Sequence, residues 1–170
     1  QEDDILLEGV SATVAQTIRA ARAEEAVRLS RDSLQSIVDN VDAMIYITDI
    51  ETYEILMANA YVYENFGQVE GKCCWQVLQK GQDGPCEFCK VMDLKGWENV
   101  RDDTRIWEVR NTVINRWYEC RDRVIRWIDN RPVRIQISTD ITERKQDQEK
   151  LNEYAATQKI LLREVNHRVK

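Results

Sequence analysis

The chain has 170 residues, enough for one domain of ordinary size with appended elements. Its 24 basic and 30 acidic residues give a formal charge of −6, which argues against nucleic acid as a partner. No apolar run approaches the roughly 18 to 20 residues that span a bilayer, and the acidic opening QEDDILLEGV is unlike a signal peptide. We therefore expect a cytoplasmic protein with no membrane segment.

Residues 1–40 are predicted to form an N-terminal helix. An apolar stripe recurs at steps of three and four along it, at Leu7, Val10, Val14, Ile18 and Ala21. Such a narrow stripe between mixed charges suits a two-helix seam better than a globular core. We prefer parallel pairing with a second copy over packing of the helix against its own domain.

Residues 41–141 are predicted to form a compact domain with five strands, within AMIYITD, EILMAN, TRIWEVRNTVI, RWYECRDRVIRWI and PVRIQISTDI. Alternation is clearest in the last run, where one face carries Val133, Ile135 and Ile137 and the other carries Arg134, Gln136 and Ser138. Short helices, broken at Gly67, Gly71, Gly81 and Gly84, are predicted between the second and third strands. This order predicts an α+β fold, a five-stranded antiparallel sheet with short helices on one face and coiled-coil helices at both ends.

Large aromatic residues on the predicted strands are expected to fill the core rather than line a ligand pocket: Trp107, Trp117, Tyr118 and Trp127. The charges of the same strands, in RNTVINRWYECRDRVIRW, alternate with large apolar residues. They are therefore expected to form mostly a solvated face.

Four of the five cysteines are clustered: Cys86 and Cys89 form a C-x-x-C motif, and Cys73 and Cys74 lie upstream. Two such pairs could hold a metal ion or an iron–sulfur cluster. The same spacing permits buried thiols, a disulfide between the C-x-x-C loop and Cys73 or Cys74, or a redox-responsive thiol pair. The cofactor, if there is one, is thus left open, although haem is disfavoured because the domain has no histidine.

Residues 142–170 are predicted to return to helix, with Leu151, Tyr154, Leu161 and Val165 at near-heptad spacing. Asp140 or Thr142 can cap its start. Together with the first helix, this segment predicts a parallel homodimer in which the domain sits astride a coiled coil.

Two sequence stretches, MANAYVYENFG with Asn59 and VRIQISTDITERK, together resemble PAS sensory domains, whose last strand runs into a D-I-T-E-R-K junction with an output helix. The resemblance implies a PAS domain at 41–141. It also implies that Asp140, Ile141 and Thr142 couple the sheet to that helix. The segment LLEGVSATVAQTIRAARAEEA is similar to the exit helix of an upstream sensory domain such as a GAF domain, which makes 1–40 a signalling helix.

The ending LLREVNHRVK resembles the phosphoacceptor box of sensor histidine kinases of the H-R-V-K subfamily. The resemblance makes His167 the phosphoacceptor at the start of a dimerisation region. It implies an ATP-binding domain further along the parent kinase, a response regulator as partner, and a fragment that is inactive alone, since ATP serves only the parent. Arg168 stands where commoner kinases have an acidic residue, so Glu164, three residues before His167 on the same helical face, is the candidate base.

Two other functions remain open from the sequence. The chain could be a PAS dimerisation or interaction module that feeds another output, such as a cyclase or a transcription factor. It could also be a metal or redox sensor built on the four clustered cysteines.

Overall fold

The computed structural model describes residues 2–89 and 104–168, and side chains within 16–89 and 104–164. The chain forms two units, residues 1–41 and 42–170. The first unit is one helix, α1 (Glu2–Asp39), and every side chain from 16 to 37 is exposed, including Val27 and Leu34. The helix predicted for this segment is therefore present, and its pairing with a second copy stays a prediction.

The second unit contains a single sheet followed by a long helix. Its elements are β1 (Met44–Asp49), β2 (Ile55–Ala58), α2 (Ala60–Phe66), α3 (Cys74–Val77), β3 (Arg105–Asn111), β4 (Arg116–Arg126), β5 (Pro132–Asp140) and α4 (Thr142–Arg168). The strands pair antiparallel in the order β2-β1-β5-β4-β3. This confirms the α+β class and the five-stranded antiparallel sheet.

The β1–β2 turn is organised by Asp49. One carboxylate oxygen, Oδ1, accepts hydrogen bonds from the backbone N–H groups of Glu51 (2.8 Å) and Thr52 (3.0 Å), the pattern of an Asx turn. The other oxygen, Oδ2, pairs with Arg131 from the β4–β5 turn at 2.7 Å. The two turns at this end of the sheet are therefore joined through one carboxylate.

The α2 helix has a side-chain cap at its start and a glycine at its end. Asn59 Oδ1 accepts from the Val62 N–H, and Gly67, at φ 72°, donates its N–H to the Tyr63 carbonyl. The predicted break at Gly67 is confirmed. Two short helices, α2 and α3, lie between β2 and residue 89. The end of the predicted CEFCKVMDLKGW segment, from residue 90, is outside the described residues.

The core lies between the inner face of the sheet, defined here as the face toward α2 and α3, and those helices. Its buried cluster comprises Met44, Tyr46, Ile55, Ala58, Val62, Val69, Cys74, Leu78, Tyr118 and Cys120. Tyr118 is fully buried, as expected of a core aromatic, and Trp107 is half-buried against the same cluster. Tyr118 also shares a 3.0 Å hydrogen bond with the hydroxyl of Tyr61.

The alternation of β5 is confirmed, but its inner face is the polar one. Arg134, Gln136 and Ser138 are buried, whereas Ile137 is 38% exposed on the other face. Asp122, in the stretch predicted to be a solvated face, is also completely buried. It pairs across the ladder with Gln136 on β5, so it projects onto the same inner face. The solvated-face prediction is therefore wrong for Asp122, because this side of the sheet closes over an internal cavity.

The α4 helix continues for 27 residues, and its apolar side chains remain exposed over the described range. They are Leu151, Tyr154, Ile160, Leu161 and Leu162. No helix in the described ranges is both long enough and apolar enough to cross a membrane.

Candidate functional site

A cavity of about 50 Å³ opens between the inner face of the sheet and the 74–89 segment. Its walls include Cys74, Cys86, Cys89, Trp107, Arg134 and Gln136. At roughly 10–15 Å³ for each water, this is room for a few water molecules or one small chemical group. Trp107 thus lines a cavity as well as packing on the core, whereas the sequence predicted only that it packs on the core.

Arg134 is the central charged group of the cavity wall, and its side chain is only 2% exposed. The guanidinium donates to Thr48 Oγ1 at 3.2 Å, Tyr46 Oη at 3.4 Å and Cys89 Sγ at 3.8 Å. Burial disfavours the charge, but Tyr46 and Asp122 raise the pKa of Arg134 above its ordinary value, so it remains protonated. No carboxylate of the described residues lies within ion-pair distance of it.

Two buried oxygens near Arg134 have no hydrogen-bond partner among the described atoms, Asp122 Oδ1 and Gln136 Oε1. The other Asp122 oxygen accepts from Trp107 Nε1 at 2.8 Å, and Gln136 donates to Ser138 Oγ at 2.8 Å. Burial raises the pKa of Asp122, against the opposing effects of Arg134 and the Trp107 hydrogen bond. The inner face therefore combines a buried cation with two buried acceptors that lack described partners, and one of them, Gln136, belongs to a residue that lines the cavity.

The structure separates the four clustered cysteines. Cys74, Cys86 and Cys89 line the cavity, whereas Cys73 is not among its wall residues and lies 3.6 Å from the Thr52 carbonyl oxygen. All five cysteines are free thiols, so the disulfide considered above is not formed. Within the described part of the chain, no group of three or more His, Cys, Asp or Glu residues is placed to hold a metal ion. The predicted four-cysteine metal set is thus not gathered in this structure.

Asp140, Ile141 and Thr142 meet β4 where α4 begins. Asp140 Oδ1 accepts from the Thr142 N–H at 2.8 Å, which caps the helix start. Thr142 Oγ1 accepts from the Trp117 N–H at 2.9 Å, and the Ile141 N–H donates to the Trp117 carbonyl at 2.8 Å. The basic partner of Asp140 is Arg116 at 3.2 Å. The three predicted coupling residues are therefore bonded to one another and to β4.

The first turn of α4 makes further contacts that the sequence did not indicate. Arg144 pairs with Glu108 of β3 at 2.7 Å and with Glu119 of β4 at 3.6 Å. Lys145 pairs with the other oxygen of Glu108 and stands 5.1 Å from the centre of the Trp117 ring. The hydrogen bond from Lys145 lowers the pKa of Glu108. Arg144 and Lys145 thus connect the first turn of α4 to β3 and β4.

His167 and Glu164 both lie on α4, far from the cavity. The 25 residues from Thr142 to His167 correspond to about 38 Å of helix. Glu164 is exposed, and the side chain of His167 is outside the described range. The structure therefore does not bring these two residues to the cavity, and their predicted roles depend on the helix that joins them to the sheet.

No family model and no curated protein sequence matches this chain. Among solved structures, the PAS domain of an HTR-like protein from Haloarcula marismortui superposes with a TM-score of 0.54 at 18% identity, over 71% of this chain and 99% of that domain. An RNA-binding light-oxygen-voltage receptor superposes with a TM-score of 0.56 at 20% identity, over 76% of this chain and 38% of the receptor. At these identities the likeness concerns the fold. This structural likeness was found without the sequence motifs described above, and it agrees with the observed strand order. The sheet and short helices of this chain therefore have the PAS fold.

Proposed function

We propose that this chain is the sensory PAS module of a two-component sensor histidine kinase and that α4 carries its signal to the phosphoacceptor His167. The observation that carries the proposal is the junction at Asp140, Ile141 and Thr142. There, α4 starts directly after β5 and is hydrogen-bonded to β4.

The same two strands contribute to both the cavity and the junction. β4 places Cys120 at the cavity and Trp117 at the start of α4, while β5 places Arg134 at the cavity and ends at Asp140. A change at the cavity that shifts β5 relative to β4 therefore displaces both anchors of the helix. This supplies a physical route from a sensed event to α4 without any contact between the cavity and His167.

The chemistry proposed for α4 needs little from this chain beyond position. A neutral imidazole nitrogen of His167 attacks the γ-phosphorus of ATP, and the bond from that phosphorus to the β–γ bridging oxygen breaks and releases ADP. Glu164, one turn earlier, accepts the imidazole proton. The parent's ATP-binding domain supplies the nucleotide, and a response regulator receives the phosphoryl group. Exposed apolar residues along α4 support the parallel homodimer expected for such a helix.

The test is phosphorylation in trans. The chain is mixed with the separately expressed ATP-binding domain of its parent and with labelled ATP. We expect an acid-labile, base-stable phosphate on the wild type and none on His167→Ala. Label that survives this substitution, or that maps to serine or aspartate, would refute the kinase assignment and favour an interaction module.

The role of Glu164 is tested by a matched pair of substitutions on the same helix. Glu164→Gln should slow phosphorylation by about 10²-fold, the lower end of the usual range for general acid–base catalysis. Glu149→Gln removes a carboxylate 15 positions earlier on α4 and should leave the rate unchanged. Equal rates for the two variants would remove Glu164 from the mechanism while leaving the role of His167 intact.

A further inference from the structure

The C-x-x-C motif forms a tight turn at the cavity mouth. The Cys89 N–H donates to the Cys86 carbonyl at 2.9 Å, and both thiols are half-buried on the cavity wall. The first and last Cα atoms of such a turn lie within about 7 Å, which meets the separation that a disulfide needs. The two thiols are free in this structure but are close enough in the chain to be linked.

Arg134 distinguishes Cys89 from the other cysteines. Its Nη1 donates to Cys89 Sγ at 3.8 Å, and this buried guanidinium has no carboxylate partner within the described ranges. Within the described ranges, Cys89 Sγ is the thiol sulfur that accepts a hydrogen bond from a cation, and a cationic neighbour is typical of the surroundings of reactive cysteines. Cys74, by contrast, is buried, and burial raises the pKa of its thiol to about 11, so Cys74 stays protonated near neutrality.

We propose that Cys89 is a reactive thiol that attacks low-molecular-weight disulfides, with Cys86 as the resolving thiol. The Cys89 thiolate attacks one sulfur of R–S–S–R, whose S–S bond breaks and releases one thiolate, which takes a proton from water. Cys86 then loses its proton to solvent and attacks Cys89 Sγ, which forms the Cys86–Cys89 disulfide and releases the second R–SH. Two protein thiols are oxidised and one small disulfide is reduced to two thiols.

Oxidation changes the environment of Arg134. In the disulfide, the Cys89 sulfur that accepts from Arg134 Nη1 is bonded to Cys86, so this contact differs between the reduced and the oxidised chain. Arg134 lies on β5, six residues before the Asp140 anchor of α4. If the proposed function holds, the thiol pair is therefore a redox input to the same output helix.

The test uses the whole chain, fully reduced, with glutathione disulfide as the oxidant and peptide mass spectrometry as the readout. We expect a transient glutathione adduct on Cys89, followed by a Cys86–Cys89 link. Cys86→Ser should stop at the Cys89 adduct, and Cys89→Ser should form neither product. Cys73→Ser, which changes a thiol that does not line the cavity, should behave as the wild type. Absence of reaction, or a first adduct on Cys73 or Cys86, would overturn the proposal.

The role of Arg134 is measured by the rate of Cys89 alkylation with iodoacetamide. Arg134→Met should lower that rate about tenfold, since it removes a charge-assisted hydrogen bond, and circular dichroism checks that the variant is folded. Should this variant fail to fold, the alkylation rates of two cysteines in the wild-type chain are compared instead. Cys89 must react about tenfold faster than Cys73, and equal rates would refute the role of Arg134. Neither experiment uses ATP. Failure of histidine phosphorylation would therefore leave the thiol results unaffected, and failure of the thiol experiments would leave the phosphorylation result unaffected.

Discussion

Asn59 supports the packing of α2 on β1, and its replacement offers a direct test of how the domain is held together. The side chain is completely buried. Its Oδ1 accepts from Ile45 N at 3.0 Å and from Val62 N at 3.4 Å, and its Nδ2 donates to the Ala43 carbonyl at 2.9 Å. One residue therefore satisfies two backbone groups at the start of β1 and caps α2.

Asn59→Ala should lower the free energy of unfolding by about 3 to 7 kcal/mol. The substitution leaves the buried Ala43 carbonyl and Ile45 N–H without these partners, at about 1 to 3 kcal/mol each, and removes a helix cap worth about 1 kcal/mol. Such a loss is a large fraction of the roughly 5 to 15 kcal/mol that stabilises a typical domain. Asn65→Ala, which removes one half-buried hydrogen bond to the Tyr61 carbonyl, should cost only about 1 kcal/mol.

Urea unfolding followed by tryptophan fluorescence measures this difference, because Trp75, Trp107, Trp117 and Trp127 lie in the sheet domain. Asn59→Asp gives a second readout. It keeps the Oδ1 acceptor but turns a carboxylate oxygen toward the Ala43 carbonyl, which raises the folded-state pKa above the unfolded value of about 3.9. Relative to the wild type, its stability should therefore be greatest below the unfolded-state pKa and fall as pH rises through the folded-state pKa. Equal stability of the Asn59 and Asn65 alanine variants would refute the reasoning.

Three further predictions concern the junction, its pH dependence and assembly. Thr142→Val removes the acceptor for the Trp117 amide of β4, so hydrogen exchange in the first turn of α4 should accelerate about fivefold. Thr157→Val, the control, should not change that exchange rate. Equal exchange rates in the two variants would contradict the coupling of α4 to β4. Lys145 lowers the folded-state pKa of Glu108 from 4.5, so their ion pair stabilises the fold above that pH. Its contribution disappears as pH falls through the lowered pKa. An NMR titration that gives Glu108 an unshifted pKa would contradict this. Sedimentation at micromolar concentration should show a dimer that Leu161→Glu weakens, and a wild type that stays monomeric at high concentration would remove the coiled-coil argument.

The strands were predictable because their signals are local. β5 alternates between apolar and polar residues from Val133 to Ser138, and turn-forming residues precede it, so its bounds follow from neighbours along the chain. The start of α4 follows in the same way from Asp140 and Thr142. Both features involve partners within a few positions or on an adjacent strand.

The cavity was less predictable because its contacts are remote in sequence. Arg134 bonds to Thr48, 86 positions earlier, and to Cys89, 45 positions earlier. A charged residue on a strand is ordinarily expected at the surface. Nothing local indicated that Arg134 and Asp122 face inward, and the hydrophobic pattern of β5 identifies two faces without saying which one closes over the core. Glu108 was missed at the junction for the same reason, since it lies 36 positions from Arg144.

The cysteines show how adjacent residues can take different environments. Cys73 precedes α3 and approaches the Thr52 carbonyl, whereas Cys74 is the first residue of α3 and turns to the cavity. The spacing grouped all four cysteines as one candidate set, whereas Cys74, Cys86 and Cys89 line the cavity and Cys73 does not. Because α3 begins at Cys74, the side chains of Cys73 and Cys74 lie in different environments, and only Cys74 lines the cavity. Where α3 begins depends on tertiary packing, which the spacing of the cysteines does not show.

The inner face carries a cost that an apolar face would avoid. Within the described residues, a buried guanidinium with no carboxylate at ion-pair distance stands beside two oxygens that lack hydrogen-bond partners. Burying such groups costs free energy that apolar residues of similar volume would not. The cost falls on β4 and β5, the strands that also hold the start of α4. Because Arg134 and Asp122 are both buried on these strands, the arrival or loss of one charge at the cavity alters their energy more than it would in water. The strands that carry these buried charges are therefore the ones that hold the start of α4.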